Sequence, residues 1–142
     1  MKAERLPVES SGHGMRSRRR VAAVLSFAWM ALIFFLSELP GTAVPGRFGW
    51  LGHLAVYAVL ATLYFATLDP RLRDPRSAAL AVVLASAYGV TDEIHQLFTP
   101  GRSSDPADWA IDTLGALVAA GLIVMIGRRA SRGARPVDDR CG

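Results

Sequence analysis

Apolar residues fall into four long stretches, and charged residues crowd the segments between them. Val21 to Ser37 carries no charge; Arg16, Arg18, Arg19 and Arg20 precede it and Glu38-Leu39-Pro40 follows. Phe48 to Leu68 is interrupted only by His53 and stops at Asp69-Pro70, because proline disfavours a helical residue before it and cannot continue the ladder. Ser77 to Thr91 is uncharged but short of the ~20 residues needed to cross hydrocarbon. Its helix is therefore expected to continue through Asp92-Glu93-Ile94-His95-Gln96-Leu97-Phe98, until Thr99-Pro100-Gly101 breaks it. The fourth stretch opens with Asp105-Pro106, an N-cap residue followed by proline in the first turn, and runs to Gly127 before Arg128-Arg129. The pattern predicts an all-α, polytopic membrane protein: a bundle of four transmembrane helices at about 21–38, 48–68, 77–98 and 106–127. The membrane domain spans 16–129, and residues 1–15 and 130–142 read as disordered tails.

Charge then orients the bundle. Lys and Arg number six before helix 1, one in 39–47, three in 69–76, one in 99–105 and five after helix 4. With both termini inside, 14 lie on the cytoplasmic side and 2 outside, which is the positive-inside asymmetry. The expected location is the bacterial cytoplasmic (inner) membrane, multi-pass, with both termini cytoplasmic. Arginines before an apolar run could also mark a signal peptide, but this run is long for one and lacks a small-x-small cleavage site. A pI near 10 is compatible with nucleic-acid binding, yet the basic residues sit at the ends of apolar runs and form no stripe; no nucleic-acid partner is expected. The single cysteine, Cys141, excludes an internal disulfide and a cysteine-based metal cluster.

Within this topology the polar residues of the apolar runs gather at one depth. His53 is five residues into helix 2, Glu93 five before the expected end of helix 3, and Asp112 six into helix 4. At 1.5 Å per residue each lies roughly 8–9 Å below the outer helix ends. Helical phase aligns Asp108, Asp112, Gly115 and Ala119 on helix 4. It aligns Ala85, Gly89, Glu93 and Gln96 on helix 3, with Asp92 at the edge, and His53, Tyr57, Leu60 and Tyr64 on helix 2. Carboxylates inside a membrane helix are costly unless paired, solvated or neutralised, so Glu93 and Asp112 mark either a working site or an interhelical clasp with His53 and Gln96. Blander roles suit the others. Asp108 suits a capping role on helix 4. Asp92 and His95 suit a wet position at the interface, and Trp50, Tyr57, Tyr64 and Trp109 suit packing or anchoring.

The run from Asp92 to Arg102, read as D-E-x-x-Q-x-F-x-P-x-R and followed by Asp108, Asp112 and Gly115, resembles the signature of the VanZ-like family. These are small bacterial membrane proteins named for an accessory protein of teicoplanin resistance. His53-x-x-x-Tyr57 and Ser37 also fit, and the likeness covers about residues 21–127. Three positions depart from it. Gly49 and Trp50 stand where many relatives carry an acidic residue and a lysine, and Asp112 stands where asparagine is frequent. The resemblance implies a role in the cell envelope.

Three functions fit these residues. The first is a site for an envelope lipid or cell-wall precursor headgroup, with a link to lipoglycopeptide (teicoplanin-type) resistance. There Glu93, His53 and Asp112 would be the chemical groups, and Gln96, Arg102, Asp108, Asp92 and Tyr57 would bind the ligand. Glu93, Asp108 and Asp112 would also hold a divalent cation such as Mg²⁺ against phosphate. The second is an ion- or proton-coupled permease, since buried carboxylates and a histidine are relay parts; its path through the inner half would need an oligomer. The third is a non-catalytic structural or regulatory membrane partner.

Overall fold

A computed structural model describes residues 10–38, 49–100, 102 and 104–133. The expected tail segments 1–9 and 134–142, the 39–48 connection, Gly101 and Ser103 lie outside these. The described chain is helical: α1 (Ser10–Ser37), α2 (Gly49–Leu68), α3 (Pro75–Gln96) and α4 (Pro106–Gly133). All four are long and apolar enough to cross a membrane. Their outward side chains are apolar too: Phe27, Val83 and Ile126 are each more than 60% exposed. A soluble bundle would place polar residues there.

Three boundaries differ from the sequence reading. α1 begins at Ser10, so residues 10–15 extend the helix where a disordered tail was expected. Arg16, Arg18, Arg19 and Arg20, which follow this segment, are good helix formers, and residues 12–20 are exposed, so the extension costs no packing. α4 likewise continues past Arg128-Arg129 to Gly133. α3 keeps 22 residues but starts and ends two residues earlier than expected. The earlier start follows from Asp74, whose carboxylate accepts from the N–H groups of Arg76 and Ser77 while Pro75 fills the first helical position.

The turn between α2 and α3 is built by Asp69, whose carboxylate accepts from the N–H groups of Arg71, Arg73 and Asp74. Burial pushes the Asp69 carboxyl up, but those three donors outweigh it and hold the group below the usual carboxylate range. Asp74 is also held below that range, by the Ser77 hydroxyl first and then by the N–H groups of Arg76 and Ser77. Leu72 takes a left-handed φ of 53°, a strain of about 1–2 kcal/mol. It is retained because Leu72 N donates to Asp69 O at 2.9 Å and the side chain packs beside Phe65, Ala78 and Ala120.

α2 is the central helix. α4 packs along it and along α3, whereas α1 leans on α2, barely touches α3 and does not meet α4. Small residues allow this closeness: Ala61, Ala81, Ala85 and Ala116 are fully buried. Gly115 marks the tightest point, because a Cβ there would collide with the Leu54 backbone carbonyl. The half of the bundle nearest the α2–α3 turn is closed by Phe65, Ala78, Ala81 and Ala120. Leu60, Ala85, Ala116 and Ile33 fill the middle. Polar groups concentrate at the opposite end.

Candidate functional site

That end gathers the C-termini of α1 and α3 and the N-termini of α2 and α4. One turn into α2, His53 places Nδ1 3.0 Å from Oδ1 of Asp112 on α4. Asp112 is fully buried, and its Oδ2 has no protein partner. The helices can approach here because Gly89 of α3 lacks a side chain: a Cβ would lie 3.3 Å from Asp112 Oδ2 and 3.4 Å from the Tyr57 ring. Tyr57, 1% exposed, points a hydroxyl without a protein partner into the same region. With Asp112 ionised, His53 carries its proton on Nδ1 and keeps the Nε2 lone pair for another group.

Adjacent residues of α3 serve opposite neighbours. Asp92 turns to α1, where Ser37 Oγ donates to Oδ1 at 2.6 Å, and Gln96 Nε2 donates to Oδ2 at 3.1 Å. Glu93 turns to α4, and its Oε2 accepts the N–H of Asp105 at 2.7 Å; Oε1 is buried without a protein partner. The difference follows from the 100° step between consecutive helical residues. Two further contacts tie α1 down: His95 Nε2 lies 2.7 Å from Glu38 Oε1, and Arg102 Nη2 donates to Leu36 O at 3.2 Å. The His95 ring also stacks on Phe34, with centroids 4.3 Å apart.

Between α1, α2 and the ends of α3 and α4 lies an open cavity of about 420 Å³. One wall is apolar, formed by Ile33, Leu36 and Val56; the other presents Ser37, His53, Tyr57, Asp92 and Gln96, with Trp50, Arg102 and Asp108 also on the lining. Its volume is in the range of small-ligand pockets, about 300–1,000 Å³. Of the residues singled out from sequence, His53, Tyr57, Asp92, Gln96, Arg102 and Asp108 therefore line one cavity.

Other expectations need correction. Glu93 is not on the cavity wall: α3 ends at Gln96, so Glu93 sits in the last turn and fastens the α3–α4 connection. Asp112 stands behind His53, not on the lining. Asp92 is no wet interfacial residue but a buried acceptor. Asp108 does not cap α4; Asp105 does, accepting from Ala107 N at 2.8 Å. The trio Glu93, Asp108 and Asp112 does not converge. Among the described residues no group of three or more His, Cys, Asp or Glu side chains is arranged to hold a metal ion. Sequence reasoning left Ser37 out of the site and read Trp50 only as an anchor. Ser37 was findable, since a lone hydroxyl at the end of an apolar helix beside an acidic neighbour helix has few other partners.

The family model described as VanZ/LLP1 matches residues 21–127, which takes in all of α2 and α3 and the membrane parts of α1 and α4. The chain belongs to this VanZ-like family. No curated protein and no solved structure matches it.

Proposed function

We propose that this VanZ-like protein binds, and acts on, the headgroup of an envelope lipid or cell-wall precursor at the outer face of a bacterial cytoplasmic membrane. The carrying observation is the cavity itself, apolar on one wall and polar on the other, at the end of a membrane bundle. An amphiphile entering from the leaflet would lay its chains beside Ile33, Leu36 and Val56 and present its headgroup to Asp92, Gln96, Arg102 and Asp108. The basic residues support the orientation, since the α2–α3 turn and both terminal segments carry 14 of the 16 Lys and Arg. Both termini are then cytoplasmic and the cavity faces outward.

His53 is the residue suited to move a proton. A buried carboxylate on Nδ1 fixes the ring and its tautomer, which leaves Nε2 as an acid–base group on the cavity wall. Asp112 is its positioning residue, and Glu93 positions the loop that carries Arg102 and the start of α4. A permease is disfavoured by the packed half below Leu60, where Phe65, Ala78, Ala81 and Ala120 close the interior.

The test compares deletion, wild-type, His53→Ala and Asp108→Asn strains for lipoglycopeptide susceptibility and envelope lipid profile, with membrane levels of the protein measured. The expected result is that both variants accumulate normally and behave like the deletion. Loss of phenotype only in proportion to loss of protein would leave the polar cluster a structural clasp.

A further inference from the structure

Resting on the headgroup reading above, we infer that the cavity selects a zwitterionic headgroup that bears a primary ammonium beside its phosphate. The polar wall is dominated by acceptors. Asp108 is half-buried on the lining, and its carboxylate accepts no hydrogen bond from any described residue. Gln96 uses its amide N–H on Asp92, which leaves its carbonyl oxygen as an acceptor. Asp92 still offers lone pairs beyond those taken by Ser37 and Gln96.

Such a wall calls for a ligand rich in N–H donors and positive charge. A purely anionic headgroup would bring its charge against Asp92 and Asp108, and burial would strengthen the repulsion. A purely cationic one would meet the Arg102 guanidinium on the same lining. A phosphate–ammonium pair satisfies both, with phosphate toward Arg102 and ammonium toward Asp108 and Gln96. The half-exposed Trp50 indole adds an aromatic face that attracts the ammonium. A quaternary ammonium would be the poorer ligand, because it has no N–H for these acceptors. The apolar wall takes the start of the acyl chains.

The experiment uses the full chain in nanodiscs, with lipid binding read by native mass spectrometry and by thermal shift. Phosphatidylethanolamine, phosphatidylcholine and phosphatidylglycerol are titrated separately into a neutral, headgroup-poor background. Wild type is expected to retain phosphatidylethanolamine with about tenfold preference over either other lipid. Asp108→Asn should abolish that preference. Gly52→Leu should block binding without harming the fold, since Gly52 lines the cavity, nothing lies within 4 Å of a Cβ there, and leucine favours helix over glycine. If phosphatidylglycerol binds best and Gly52→Leu removes it, the ammonium preference is overturned while the headgroup site stands. If phosphatidylethanolamine binds equally to wild type, Asp108→Asn and Gly52→Leu, the lipid is merely annular and both readings fall. No saturable binding of any of the three also overturns the inference.

Discussion

Gly115→Ala tests how the packing of α2 against α4 sets the site. A Cβ at residue 115 would overlap the Leu54 carbonyl oxygen and lie 3.0 Å from Leu54 C and Cα. The obstacle is backbone, so relief requires the two helices to separate along their most extensive contact. Overpacking of this kind costs about 1–3 kcal/mol, and a backbone clash belongs at the upper end. Replacing glycine by alanine inside a helix returns about 1 kcal/mol. The net expectation is a loss of about 2 kcal/mol. Gly121→Ala on the same helix is the control, because nothing lies within 4 Å of a Cβ there and it should gain about 1 kcal/mol. Leu54 adjoins His53, and Gly115 lies one turn from Asp112, so separation also lengthens the 3.0 Å His53–Asp112 bond. Unfolding of the purified protein in detergent should rank Gly121→Ala above wild type and Gly115→Ala below it. Equal stability of the two alanine variants would refute the close approach.

Other consequences follow from individual contacts. Asp112→Asn should keep a hydrogen bond to His53 and change stability little, whereas Asp112→Leu leaves His53 unpaired and should cost about 1–3 kcal/mol in the same assay. Glu93→Ala should likewise cost about 1–3 kcal/mol by stripping the Asp105 N–H of its acceptor, and its functional loss should track its lower membrane level. Asp69 and Asp74 are held below the ordinary carboxylate range, so the stability they supply is complete above that range and is lost as pH falls through their lowered values. Melting temperature should therefore drop below about pH 4, and Asp69→Asn with Asp74→Asn should flatten that acid limb.

The spans were legible because a membrane helix must be apolar over its whole length, and that demand survives any detail of packing. Even the missed start of α3 had a readable cause, since Asp74-Pro75 is the same start signal as Asp105-Pro106. The level of His53 and Asp112 was also legible from chain direction and residue count. Partner choice was not. Periodicity puts Asp92 and Glu93 on neighbouring faces, but only the placement of α1 and α4 around α3 sends one to Ser37 and the other to Asp105. The expected metal trio of Glu93, Asp108 and Asp112 does not form for the same reason: neighbouring positions on two adjacent helices are not convergence on one point. The apolar wall of Ile33, Leu36 and Val56 was equally hidden, since lipid-facing and cavity-facing aliphatic residues look alike in sequence.

The central claim, that the polar cavity opens on the outer face, meets its most direct test in thiol labelling. Cys141 is the only native cysteine and follows α4, on the side assigned to the cytoplasm. Gly52→Cys adds a thiol on the cavity lining where a Cβ meets nothing within 4 Å. In intact cells a membrane-impermeant maleimide should label Gly52→Cys and spare Cys141, which should react only after lysis. Labelling of Cys141 in intact cells, with the cysteine at 52 protected until lysis, would contradict the account.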